Sequence, residues 1–556
     1  MKTSLVSLLL LFGILFGIQA VARGQVWVPD QGDGTYRNPI IYADYSDPDV
    51  IRVGDDYYMV ASSFTCQPGI PVLHSKDLVN WQIINHVYQS LPLERYKKPQ
   101  HGQGSWAPSI RYHQSRYYVY FCTPEDGLFM ATAADPAGKW DLYLVQDVAG
   151  WEDPCPFWDT DGQAYLLHGR VGAGPAILHK MSPDGKRLLD GGRVIFQDAK
   201  RQPTLEGFKF MDKRDGYYYF SAPAGGVSKG WQSVFRSKDI YGPYEDRIVL
   251  RQGKTGINGP HQGGLVETQT GEWWFIHFQD KAAYGRIVHL QPVNWQNGWP
   301  VIGNVIGTVI GTENGDGAGE PVLAYKKPNV GKTYPPAVPQ TSDEFERTAL
   351  GLQWQWQAAP NKDWYSLDAK AGHLRLYAVI VPSFEGNLLY AGNLLLQKFP
   401  APAFSVTTKL ELHANAVGER AGLVVMGNDY TSISLEKGPL VYRIAVYGWK
   451  RTDRRNPPQE LAGVETDARV IWFNLRVSDD ATYRYSYSLD GKEYKEIGSQ
   501  YKAEPGTWVG AKSGLFCMTP SIINTKGYGD FDFFRVDAVE QGRVSGGCEI
   551  RHTRPA

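Results

Sequence analysis

Asp215-Gly216-Tyr217-Tyr218 is a tight turn followed by two aromatic residues, and the phrase recurs along the chain. Asp55-Asp56-Tyr57-Tyr58, Ser115-Arg116-Tyr117-Tyr118, Asp161-Gly162-Gln163-Ala164-Tyr165 and Gly271-Glu272-Trp273-Trp274 are its other copies. Successive copies stand about 47 to 60 residues apart, the length of one four-stranded propeller blade. Asp, Gly and Ser supply the turn, and aromatic residues suit the strands that leave it. Two outer turns, Ser75-Lys76-Asp77 and Ser237-Lys238-Asp239, echo the same unit. Short alternating runs dominate elsewhere, without helical periodicity of useful length. The pattern predicts an all-β chain: a five-bladed β-propeller over residues 34–325, followed by a β-sandwich. The Pro-rich stretch 326–341 reads as a linker, and the alternating strands of 342–545 read as the sandwich.

The innermost strand of a propeller blade lines the central channel and precedes the hairpin. Counting back about eleven to thirteen residues from the second aromatic position reaches Asp47, Trp106, Asp153, Glu206 and His261. These five are expected to share one structural position and to converge on one axis. Three are carboxylic acids. Cleaving a glycosidic bond needs one carboxyl group to protonate the leaving oxygen and another to serve the opposite face of the sugar. A third negative charge nearby raises the pKa of the proton donor. Three acids therefore divide naturally into base, acid and pKa modulator. Singly, an Asp-Pro pair such as Asp47-Pro48 or Asp153-Pro154 more often caps a turn. In register across blades, a site is the better reading.

The neighbours are less decisive. His261 suits a sugar hydroxyl, a metal ion or a structural hydrogen bond. Trp106 suits a stacking wall or plain packing. Arg286 could reach sugar hydroxyls with its fork of donors or form a surface ion pair. Gly207 after Glu206 leaves open space for a ligand. Asp159-Thr160-Asp161-Gly162 lacks the full ligand pattern of a calcium loop, and no nucleotide-binding motif is present.

Asn38-Pro39-Ile40, Asp47-Pro48-Asp49-Val50-Ile51, His74-Ser75-Lys76-Asp77, Trp106-Ala107-Pro108, Glu152-Asp153-Pro154, Glu206-Gly207, His261-Gln262-Gly263 and Gly285-Arg286 together resemble glycoside hydrolase family 43 over about residues 34–310. Asp343-Glu344-Phe345, Leu352-Gln353-Trp354-Gln355-Trp356, Asn393-Leu394-Leu395-Leu396 and Arg420-Ala421-Gly422-Leu423 resemble the concanavalin-like sandwich that many of its β-xylosidases and arabinofuranosidases carry. The resemblance implies an inverting enzyme with Asp47 as general base, Glu206 as general acid and Asp153 as pKa modulator. It also implies sugar contacts from Trp106, Phe64, His261 and Arg286. No cofactor is required, although the family commonly holds a water or Ca2+ on the propeller axis near the residue matching His261. Tyr45-Ser46 and Thr65-Cys66-Gln67 depart from the patterns of many xylosidases. They lean the expectation toward an exo-acting α-L-arabinofuranosidase on hemicellulose or pectin side chains. An exo-β-1,4-xylosidase is the close rival, and a non-catalytic carbohydrate-binding propeller is the reading from another class.

Composition narrows the partners. The 556 residues carry a net charge of −1, so there is no basic footprint for nucleic acid or anionic membrane. The expected partner is a plant polysaccharide or oligosaccharide such as arabinoxylan, arabinan, xyloglucan or xylan. Lys2, the apolar run from Leu8 to Phe16 and Ala20-Val21-Ala22 make residues 1–22 a secretory signal peptide. The mature chain is then periplasmic or secreted, with no membrane span. Cys66, Cys122, Cys155, Cys517 and Cys548 are too sparse for a disulfide framework or a zinc site. They leave room for one or two bridges, with most of them plain thiols.

Overall fold

Five four-stranded antiparallel units, each wound in chain order, make up the first half of the chain in the computed structural model, the fourth extended at its outer edge by Gly319–Glu320 and Asn304–Val305. The structure describes residues 25–539 except 212, 306–316, 382–385, 454–455 and 521–522. The expected leader at 1–22 and Cys548 lie outside the described residues.

The innermost strands are Asp49–Val53, Trp106–His113, Trp151–Trp158, Lys209–Phe210 and His261–Glu267. The aromatic pairs of the repeat sit on the second strands, where successive side chains point to opposite faces. Tyr57 therefore packs into a core shared with the fifth blade, beside Trp274, while Tyr58 packs toward the second. Trp274 and Phe275 divide in the same way between the first and fourth blades. Each blade is thus glued to both neighbours by one hairpin, and five cores close the ring. The outer-turn echo has a common physical basis. Ser75 Oγ accepts from the Asp77 amide at 3.1 Å, and Ser237 Oγ accepts from the Asp239 amide at 3.2 Å.

Before the first blade, Thr35–Arg37 pairs with Ala324–Lys326, and Ile41 bridges Val288 of the fifth blade. The ring is thereby tied at its seam. The segment after 326 is docked rather than free: Lys327 forms ion pairs with Asp30 and Asp77, and the Ala337 amide donates to Asn80.

The second half is two sheets packed over one apolar core. Phe404–His413 alternates buried and half-buried residues along its full length, the mark of a strand with one face inward. Among the described residues the helices are five short 3-10 turns, and none is long and apolar enough to cross a membrane. Cys66, Cys122, Cys155 and Cys517 are buried free thiols, so no bridge forms among them.

Candidate active site

The innermost strands carry a backbone irregularity at their entrances. Asp47, Ala107, Asp153, Gly207 and Gln262 all have positive φ, between 34° and 64°. In the second, third and fifth blades the strand register slips at the same place. A left-handed residue other than glycine costs roughly 1–3 kcal/mol and persists where the surroundings demand it. The expected single position therefore resolves into two. Asp47 and Asp153 sit on the left-handed residue itself, whereas Trp106, Glu206 and His261 stand one residue before it. The bulge lets consecutive side chains face the channel instead of alternating across the strand.

A cavity of about 410 Å³ opens over this ring, within the size range of small-molecule sites. Its lining includes Asp47, Asp153, Glu206, Glu152, Phe64, Trp106 and Arg286. The three expected acids are therefore brought together. Asp47 is the most heavily supported. Arg286 Nη1 donates to its Oδ1 at 2.7 Å, while Ser46 and Ser62 hydroxyls donate to Oδ2 at 2.8 and 2.6 Å. Asp44 in turn accepts from the Arg286 amide. Arg286 thus holds a carboxylate as well as facing the cavity. Asp153 is buried and accepts from the Gly207 amide at 2.6 Å. Burial and the charge of Glu206 raise its pKa. Burial raises Glu152 as well, with Asp153 and Glu206 adding to the shift. Clustered carboxyl groups titrate as a set, so this one retains a proton near neutral pH.

Glu206 keeps 26 % of its side-chain surface exposed and is held by His261, whose Nε2 lies 2.7 Å from Oε1. His261 itself has no exposed surface. It stands behind the acid instead of contacting sugar, which corrects the expectation of a direct substrate contact. Nε2 of His261 is engaged by Glu206, while its buried Nδ1 has no hydrogen-bond partner among the described residues; a calcium ion on the axis would need six to eight oxygen ligands. Gly207 is also corrected: a Cβ there would lie 2.7 Å from Gln262 and 2.9 Å from Pro223. Its bareness admits those side chains, not a ligand.

Phe64 and Trp106 meet edge to face at 6.2 Å and form one aromatic wall. Trp508, from the sandwich half, completes it. Its ring lies 6.1 Å from Trp106, and the Arg286 guanidinium sits 5.8 Å from its centroid. The Gly510 amide, two residues on, donates to Asp44 and pins this loop to the propeller. Sequence reasoning missed Trp508 because nothing local marks a residue three hundred or more positions from the acids. It missed Glu152 because the adjacent Asp153 already filled the counted position.

Residues 36–300 match Glycosyl hydrolases family 43, and residues 342–537 match the Beta xylosidase C-terminal Concanavalin A-like domain. A Xylanibacter ruminicola protein provisionally named beta-xylosidase is 44% identical over 502 residues, covering 88% of this chain and 87% of its own. The chain belongs to glycosyl hydrolase family 43. It is a glycoside hydrolase. Another family 43 relative, the Bacteroides ovatus non-reducing end alpha-L-arabinofuranosidase BoGH43B, is 30% identical, covering 77% of this chain and 79% of its own. The crystal structure of the GH43 BlXynB protein from Bacillus licheniformis superposes with a TM-score of 0.76 at 27% identity, covering 91% of this chain and all of that one. The five-bladed propeller and the sandwich are thus a family 43 arrangement from end to end.

Proposed function

We propose that the chain is an exported, inverting exo-β-xylosidase that removes single xylosyl residues from the non-reducing ends of xylan fragments. The observation that carries this choice is the end-to-end likeness to the Xylanibacter ruminicola protein, at 44% identity, against 30% for the arabinofuranosidase. It reverses the lean toward arabinofuranosidase drawn from Tyr45-Ser46 and Thr65-Cys66-Gln67. Release of terminal L-arabinose from arabinosylated polymers is the second reading, favoured by BoGH43B.

In this reading Asp47, oriented by Arg286, Ser46 and Ser62, takes a proton from a water that attacks the anomeric carbon. Glu206, the more exposed acid, delivers a proton to the leaving oxygen, and His261 fixes its direction. Asp153 supplies charge behind Glu206 and ties the two blades through the Gly207 amide. The wall of Phe64, Trp106 and Trp508 stacks on the sugar and blocks a through-running chain, which favours action at chain ends. The leader at 1–22 directs the enzyme to the periplasm or beyond.

Parallel kinetics on the nitrophenyl β-D-xylopyranoside and α-L-arabinofuranoside test the choice, with a large xyloside preference expected. A large arabinoside preference would overturn it. Proton NMR of the first sugar released from xylobiose should show the α-anomer. The β-anomer would mean retention and remove Asp47 from the role of base.

A further inference from the structure

Glu152 occupies, in the third blade, the position that Glu206 occupies in the fourth: one residue before the left-handed entrance of the innermost strand. The slipped register that turns Asp153 inward leaves Glu152 on the cavity wall, opposite Gly169. A Cβ on Gly169 would sit 2.7 Å from Phe208 and 3.6 Å from Glu152 Cγ. The bare backbone there is what gives the Glu152 stem its room. The residue is 5 % exposed, yet its Oε1 has no hydrogen-bond partner. Its carboxyl group meets the Ala173 backbone amide, and its charged neighbours are Asp153, Glu206 and Asp47. A buried acid surrounded by acids, with one oxygen unused, is poorly explained as structural support.

We propose that Glu152 is a substrate-binding residue of this cavity, holding a sugar hydroxyl by a hydrogen bond without exchanging a proton in the reaction. The proposal rests on the glycosidase reading above. Burial and the surrounding carboxylates raise its pKa, so the group enters the complex protonated and can donate as well as accept. A pentose presents vicinal hydroxyls that need both capacities. Supplying the missing partner also removes the penalty of an unsatisfied buried atom, which makes the contact selective for a sugar that bears a hydroxyl there.

The test uses the full chain, with calorimetric titration of D-xylose and kinetics on the nitrophenyl xyloside. Glu152→Gln keeps a donor and an acceptor and is expected to stay within about twofold of wild type. Glu152→Met keeps the stem over Gly169 but no donor, and is expected to weaken xylose binding and raise KM about tenfold, with kcat changed less. Glu152→Ala repeats the test if the Met variant does not fold. Unchanged affinity in the Met or Ala variant would overturn the inference while leaving the glycosidase reading intact. An equal loss in Gln and Met would also overturn it, since a neutral hydrogen-bonding group would then not suffice. Failure of the wild type to cleave any pentoside would instead overturn the glycosidase reading and take this inference with it.

Discussion

Asp530 in the sandwich and the acids at the propeller's channel mouth are all buried carboxylates, but they are held in opposite ways. In the sandwich, Asp530 is 1 % exposed and receives both arms of the Arg375 guanidinium, at 2.8 and 3.0 Å, with Lys370 close by. In the propeller, the acids at the channel mouth face one another. Of these, Asp47 has a cationic partner, Asp153 has a backbone amide, and Glu152 has an oxygen with nothing. A buried acid matched by cations holds a fold together. Buried acids gathered without matching charge raise one another's pKa, and the proton so retained is available for chemistry.

The sharpest way to break this contrast is to neutralise one acid in each half. Asp153→Asn, which breaks no ion pair and can still accept from the Gly207 amide, should lower kcat/KM on xylobiose about 10²-fold while leaving thermal stability near that of the wild type. Asp530→Asn should do the reverse. It should cost about 3 kcal/mol in denaturant unfolding, because Arg375 loses its partner, and leave kcat of the folded fraction unchanged. If Asp530→Asn abolished turnover without loss of stability, the division between the halves would be wrong.

Trp508 is where the halves meet, and it should show an intermediate effect. Trp508→Ala removes an aromatic contact worth about 1.5 kcal/mol and should raise KM for xylobiose about tenfold, with stability little altered because the ring is half exposed. An unchanged KM would return the sandwich to a purely structural role.

A last effect concerns acid and grows as pH falls. His277 is pushed down to about 4, and His86 and His168 to about 3, each chiefly by burial. Their ordinary value is about 6.5, so the unfolded chain binds more protons than the folded one below that pH. Stability from these neutral imidazoles is complete above about pH 6.5 and declines as pH falls, to about 4 for His277 and about 3 for His86 and His168, by at most about 1.4 kcal/mol per histidine per pH unit. Denaturant midpoints measured between pH 7 and 5 should fall. A flat profile would show that these histidines do not set the acid limit of the propeller.

The reach of the sequence differed between the same two regions. The aromatic hairpins made the propeller legible because every blade repeats one physical task, gluing itself to both neighbours. The repeat also located Asp47, Asp153 and Glu206, since position in a blade maps onto position around the axis. What it could not supply was the one-residue slip at Asp153, Ala107 and Gln262. Counting residues cannot distinguish a bulge from an ordinary strand, so two positions were merged and Glu152 was hidden behind its neighbour. Trp508 was unreadable for another reason: its contact with Trp106 spans two domains, and only packing brings them together. Gly207 was correctly placed near the acids but given the wrong task, and His261 was left open between a ligand contact and a structural hydrogen bond, because burial decides between touching a ligand and supporting a group that does.

The most direct measurement is the leaving-group dependence of Glu206→Gln. If the channel-mouth acids retain a proton for transfer and Glu206 delivers it, kcat/KM should collapse about 10²–10⁴-fold on xylobiose, whose departing oxygen needs the proton. It should fall far less on the nitrophenyl xyloside, whose phenolate departs without one. An equal loss on both substrates, or undiminished cleavage of xylobiose, would contradict the account.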